Sequence, residues 1–191
     1  MKIYLASKSP RRKEFLSLMG LEFESMPSDK EENITKKISL NSLSEELAMQ
    51  KADDIFEKTT GDRIIIGSDT LVCYKNMRFG KPTSKDDAKF MLSSLSNKWH
   101  RVISSLCVIV SRNGVTKKYL SHSTTKVKFI TLTEKMIDDY IATNEPMDKA
   151  GAYAIQGKAS IFIEKIKGSY TSVIGLPTHK LYEILRKENI L

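Results

Sequence analysis

The chain is 191 residues long, 40% hydrophobic and 28% charged, with 9 Gly and 5 Pro, which supplies enough apolar material for a buried core and argues against wholesale disorder. Its 31 basic and 23 acidic residues leave a formal charge of +8, which favours polyanionic partners such as phosphates, nucleic acid or anionic lipid without choosing among them. Cys73 and Cys107 stand alone, so neither a disulfide framework nor a zinc site is suggested and a reducing cytoplasm fits; no stretch approaches the roughly 20 apolar residues of a membrane span, and a single Lys before Ile3-Tyr4-Leu5-Ala6 makes no signal segment.

In chain order, residues 2–6 read as a short buried strand and Ser7-Lys8-Ser9 as a polar turn. Ser9 suits a helix N-cap, its hydroxyl bonding a free backbone N–H, with Pro10 at the first helical position, Phe15, Leu16 and Met19 on the apolar face and Gly20 as the stop. A second strand is expected over 21–25, then a polar loop over 27–37 that holds Glu31 and Glu32. Leu47, Ala48, Ala52 and Ile55 give 43–56 a helical period, and 63–74 reads as a buried strand interrupted by Asp69. Ser84 caps a helix running to 95, with Asp86 and Asp87 in the first turn, where the dipole favours them. The period then changes. Residues 100–112 and 117–131, rich in Val, Ile, Thr and Ser around Asn113-Gly114, predict a long antiparallel hairpin with a two-residue turn. Thr133 caps a helix to 142, strands are expected at 161–166 and 170–174 across Lys167-Gly168, and a helix over 178–187 closes the chain. Strands interleaved with helices predict one domain over 1–191 of mixed α/β (α+β) class on a mixed twisted sheet.

Several segments carry chemistry. In Ser7-Lys8-Ser9-Pro10-Arg11-Arg12, a Ser-rich turn opens a helix whose N-terminal N–H groups and dipole attract anions. Two arginines in that first turn oppose the dipole and would fork onto phosphate oxygens; a solvated basic turn is the plainer alternative. Gly67-Ser68-Asp69-Thr70 embeds a carboxylate between Ile64-Ile65-Ile66 and Leu71-Val72. A buried Asp needs a cation, a metal or several hydrogen bonds, which reads either as metal coordination or base catalysis, or as an Asx-type turn at a strand end. Lys81, in Phe79-Gly80-Lys81-Pro82, is either a phosphate contact or an exposed charge.

These blocks, with the run from Asn144 through Glu145-Pro146-Met147-Asp148-Lys149-Ala150-Gly151 to Ala152-Tyr153-Ala154-Ile155-Gln156-Gly157, and Gly168-Ser169-Tyr170 with Val173-Ile174-Gly175-Leu176-Pro177, resemble the Maf-like family, once described as septum-formation inhibitors. The resemblance spans nearly the whole chain, in the family's block order. It implies a bilobed fold similar to inosine triphosphate pyrophosphatases, with a cleft between the lobes. It also implies a metal-dependent hydrolase that splits a nucleoside triphosphate between its α- and β-phosphates, releasing the monophosphate and pyrophosphate. Carried over by position, Asp69 is the general base, and Arg12, Thr70 and Gln156 influence substrate choice. Ser7, Arg11, Lys51 and Lys81 hold phosphates, and a divalent cation, Mg²⁺ or Mn²⁺, sits on Asp69 with Glu32. The Ala-Tyr-Ala-Ile-Gln-Gly form resembles the branch acting on dTTP and UTP, and Gln156 offers a base edge both a donor and an acceptor. A homodimer is the family habit; no stable nucleic-acid partner and no membrane are expected.

Asn97 and Ala159 stand where the family usually has Gly, and Asn tolerates the left-handed backbone better than most residues. His100, His122 and His179 lack metal spacing and read as structural or surface residues; Trp99 and Tyr153 read as packing, although Tyr153 also suits stacking on a base. The competing function is a nucleic-acid-binding or division-regulating adaptor, which the +8 charge supports and the dispersed basic residues oppose.

Overall fold

The computed structural model describes residues 1–30, 38–75 and 77–191. In chain order these form β1 (Lys2–Leu5), α1 (Pro10–Leu18), β2 (Glu24–Ser25), α2 (Leu40–Glu57), β3 (Arg63–Tyr74), β4 (Met77–Phe79), α3 (Lys85–Leu95), β5 (Trp99–Arg112), β6 (Val115–Phe129) and α4 (Glu134–Ala142). Short 3₁₀ turns at Glu145–Asp148, Ala150–Ala152 and Lys158–Phe162 lead to β7 (Ile163–Lys167), α5 (Tyr170–Ile174) and α6 (Thr178–Lys187). The strands are ordered β2-β1-β3-β5-β6-β7, with β4 pairing β3. β1 runs parallel to β2 and β3, whereas β3–β4 and β6–β7 are antiparallel, so the sheet is mixed as expected. Among the described residues no helix is long and apolar enough to cross a membrane.

The chain divides into two compact units. The first comprises Met1–Asp69, Ser104–Ser123 and Gly175–Leu191, the second Thr70–Ile103 and Thr124–Ile174, so the divisions fall inside β3, β5 and β6. In the first unit, successive strand residues enter two separate cores. Ile3, Leu5, Ile64, Ile66, Leu106, Val108 and Val110 pack with Leu16 of α1 and with Leu181 and Leu185 of α6. Tyr4, Ala6, Ile65, Cys107 and Ile109 pack with Ala48, Ala52 and Ile55 of α2. Strand side chains alternate between faces, so Ile64-Ile65-Ile66 is continuously apolar because both faces are covered. The second unit has one core, where Val72, Val102, Val127 and Phe129 meet α3, α4 and the 3₁₀ turns. Its strands alternate instead: Val127 and Phe129 are buried while Lys126 is exposed.

The hairpin turn is as predicted, with Asn113 at φ 52° and Gly114 at φ 78°, both left-handed as a type I′ turn requires. Ser84 and Thr133 cap their helices through side-chain bonds to the N–H groups of Asp87 and Met136. Asn97 has φ 53°, so it keeps the left-handed turn. Four expectations change. The second strand shrinks to Glu24–Ser25, and β7 starts at Ile163 because the preceding residues wind into a 3₁₀ turn. Ser9 occupies the N-cap of α1 but its hydroxyl makes no capping bond. Residues 170–174 form a helix, not a strand. Their β-branched composition misleads, because Ser169 accepts the Ser172 N–H on Oγ at 3.3 Å and the Val173 N–H on its carbonyl at 3.3 Å, closing a helical turn.

The three histidines and Tyr153 are structural or peripheral. His179 is exposed, and His122 bonds Glu45 through Nδ1 at 2.7 Å and Asn41 through Nε2 at 3.2 Å. Tyr153 is buried and shares a 2.7 Å hydrogen bond with His100 Nε2, and both rings meet Phe129 edge-on. Cys73 and Cys107 are buried free thiols; burial raises both pKa values, that of Cys107 to about 12.

Burial pushes the His100 pKa down from 6.5 to about 3, so the folded protein holds it neutral. The unfolded chain therefore binds more protons between those values, and the contribution of His100, complete above pH 6.5, is lost as pH falls toward about 3. The melting temperature should decline over that window, and His100→Gln should flatten the decline relative to wild type; parallel Tm–pH curves for the two proteins would contradict this.

Candidate active site

In the first unit the site begins where β1 ends. The Ala6 N–H still bonds the Ile66 carbonyl at 2.9 Å, and the chain then turns away from β3. Buried Ser7 accepts the Ser9 N–H at 3.2 Å and Arg12 Nη1 at 3.0 Å on its hydroxyl oxygen. Arg12 Nε donates to the Gly175 carbonyl at 2.9 Å, and the buried Ser68 hydroxyl donates to the same oxygen at 3.0 Å. Gly175 thus joins the opening turn to β3, a role that reading the sequence did not assign to it. Burial lowers the Arg12 pKa, and the Arg11 charge acts in the same direction while Asp69 opposes both. Arg11 is half-buried and has no carboxylate partner among the described residues.

Asp69 and Lys51 meet because of a glycine. Gly67 and Asp69 lie two apart on β3 and share a face. A Cβ on Gly67 would stand 2.3 Å from the Ala48 carbonyl oxygen and 2.9 Å from Ala52 Cβ, so the bare glycine lets α2 lie directly on the strand. Lys51, on the same helix, then reaches Asp69, with Nζ donating to Oδ1 at 2.6 Å. The other carboxylate oxygen, Oδ2, is buried and accepts no hydrogen bond among the described residues. This is an ion pair, not the Asx-type turn left open above.

In the second unit, β4 folds back antiparallel on β3, pairing Phe79 with Val72 and placing the Gly80-Lys81-Pro82 loop beside the run of residues 144–157. Gly151 N–H donates to the Gly80 carbonyl at 2.9 Å. Gly151, at φ 70°, sits so close to Val72 that a Cβ would fall 2.7 Å from Cγ1, and Ala152 follows at φ 61°, a left-handed conformation costing roughly 1–2 kcal/mol. Lys81 and Gln156 are exposed, and Thr70 is half-buried on β3.

Glu145, which carried no individual role from the sequence, fixes the Gln156 loop. Its Oε1 accepts the Tyr140 hydroxyl at 3.0 Å and its Oε2 accepts the Lys158 N–H at 3.1 Å. A Cβ on Gly157 would lie 2.0 Å from Oε1, so any side chain there would displace the carboxylate from this position. The glycine after Gln156 was the available signal, but its partner lies too far along the chain to be read locally.

Among the described residues no group of three His, Cys, Asp or Glu forms a metal cage. The unpartnered Asp69 Oδ2 nevertheless fits a hard cation of the Mg²⁺ type, which is commonly held by one or two carboxylates and completed by substrate phosphates. Glu32, the expected second carboxylate, lies outside the described residues.

Gly67→Ala should lower stability by about 1–3 kcal/mol, because overpacking must push α2 off β3. Urea unfolding would measure it, and an unchanged midpoint would show that α2 tolerates the extra carbon.

The chain is 50% identical over 182 residues to a dTTP/UTP pyrophosphatase of Alkaliphilus oremlandii, covering 95% of this chain and 93% of that protein. It is 48% identical over 185 residues to one from Desulforamulus reducens, covering 96% and 95%. It is 46% identical over 189 residues to one from Bacillus anthracis, covering 99% and 96%. In fold it is similar to a HAM1 protein from Coxiella burnetii, with a TM-score of 0.55 at 15% identity over 98% of this chain and 99% of that one. The Ham1 protein of Staphylococcus aureus gives 0.52 at 13% identity over 98% and 100%. The family model described as Maf-like protein matches residues 2–188, and the chain belongs to the Maf-like family.

Proposed function

We propose that this chain is a nucleoside triphosphate pyrophosphatase that hydrolyses dTTP and UTP to the monophosphate and pyrophosphate. The observation that carries the reading is near-full-length identity of 46% to 50% with dTTP/UTP pyrophosphatases. The arrangement of side chains supports a division of labour.

Asp69 is the general base. Lys51 occupies Oδ1, which leaves Oδ2 to take the proton of the attacking water. Water adds at the α-phosphorus, the bond to the bridging oxygen breaks, and pyrophosphate leaves with that oxygen. Arg11, Arg12 and Lys81 offset the charge of the phosphates and of the departing pyrophosphate. Both acceptor positions of the Ser7 hydroxyl are used by Ser9 and Arg12, so its proton remains to donate to a phosphate oxygen. Mg²⁺ or Mn²⁺, held by Asp69 and by Glu32, would supply Lewis acidity and a more acidic water when bound. Gln156, presented at the surface by the Glu145 clamp, reads the pyrimidine edge, with Thr70 and Arg12 influencing the choice. A homodimer in the cytoplasm completes the proposal, the location supported by two buried, unpaired cysteines.

Asp69→Asn should reduce pyrophosphate release from dTTP and UTP by roughly a hundredfold or more with the fold retained. Turnover equal to wild type would remove Asp69 from the mechanism. Gln156→Leu should lower kcat/KM for dTTP by roughly tenfold, about 1.4 kcal/mol of transition-state binding, while affecting purine triphosphates less. An equal loss across a panel of canonical triphosphates would place base recognition elsewhere.

A further inference from the structure

The uncovered side of the second unit's strands carries a constellation that the catalytic proposal does not use. The antiparallel register of β6 and β7 sets Lys126 opposite Lys167 and Lys128 opposite Lys165, while Val127 between them turns into the core. Like charges directly opposite one another destabilise a strand pair, so stability alone does not favour two such rungs in succession. Trp99 and Arg101 lie two apart on β5 and therefore share one face of that strand. With His100, Lys126 and Lys167 they line an open cavity of about 340 Å³ that, among the described residues, no acidic side chain lines.

The cations differ in how far they are engaged. Lys128 donates to Asn97 Oδ1 at 2.5 Å, and Lys165 lies 3.5 Å from its chain neighbour Glu164. Arg101, Lys126 and Lys167 have no carboxylate partner among the described residues. The Lys167 ammonium lies 5.3 Å from the centre of the Trp99 ring, which remains 37% exposed. Along the sequence these basic residues look scattered; strand pairing collects them around one aromatic ring. Three cations alone would suit any small anion. An exposed indole among them suits an anion that also carries a flat ring.

The geometry points to a binding site for a nucleotide unit on this face, with the base stacked on Trp99 and the phosphate held by Arg101, Lys126 and Lys167. Lys167 is a flexible arm, and it moves from the ring to the phosphate as the base takes its place. A free nucleotide and the unpaired end of a nucleic-acid strand share this chemistry. The site uses none of the residues assigned to triphosphate hydrolysis, so its occupancy is separable from turnover.

Trp99 is the chain's one tryptophan, so its fluorescence reports on the site directly. The full-length protein would be titrated with UMP, with short single-stranded oligothymidylate and with inorganic pyrophosphate. Saturable quenching by UMP or by the oligonucleotide is expected, and whichever acts at lower concentration identifies the source of the nucleotide. The double variant Lys126→Glu/Lys167→Glu should weaken that binding by roughly tenfold or more while dTTP turnover is unchanged. If the double variant fails to fold, Arg101→Gln and the loss of quenching with rising salt carry the same test. Absence of quenching by both nucleotide forms, an equal response to pyrophosphate, or quenching that persists in the charge-altered variants would overturn the proposal.

Discussion

A carboxylate inside an otherwise apolar strand is tolerated when a cation reaches it, and in this protein the reach is set by a missing side chain. Gly67 lets α2 rest on β3, and Lys51 rides on that helix to within 2.6 Å of Asp69. Asp69 is buried and Lys51 about a fifth exposed, so removing either partner leaves a charge with only partial access to water. Backbone contact, helix placement and ion pair are therefore one arrangement, and none of the three persists unchanged if another is altered. Among the described residues the same pair leaves one carboxylate oxygen without a hydrogen bond, so a structural requirement and a chemical capacity share the residue.

The remaining anchors work through backbone as much as side chains. The Gly175 carbonyl gathers Arg12 and Ser68, the Gly80 carbonyl takes the Gly151 N–H, and Glu145 secures the Lys158 N–H. Each bond joins a loop bearing an exposed polar residue to a neighbouring segment of its own unit. Loops tied in this manner lose less conformational freedom when a ligand binds, which favours affinity and selectivity together.

What could be read from the chain itself follows the range of the forces. Asn113-Gly114, Ser84 and Thr133 act on residues within one turn, and the hairpin and two helix starts they announce are present. Residues 170–174 failed because local composition favoured a strand, whereas Ser169 supplied a helical turn. Asp69 was legible as an anomaly, but its partner lies 18 residues away on a helix whose approach depends on Gly67. Glu145 and the cross-strand lysines were invisible for the same reason: their meaning lies in register and packing, which spacing along the chain does not encode. Recognition of the family blocks named Ser7, Arg11 and Arg12 without explaining why Arg12 is held between Ser7 and Gly175.

The two free cysteines acquire a use from their placement. Cys107 belongs to the first unit and Cys73 to the second, and each thiol is shielded from solvent, at 0% and 1% exposure. A thiol reacts as its thiolate and only where a reagent can reach it, so alkylation of either cysteine has to wait for its surroundings to open. The rates at which the two are labelled are thus two clocks in one molecule. When both clocks run at one speed the units breathe as a single cooperative body, and when they part, the faster names the half that opens first.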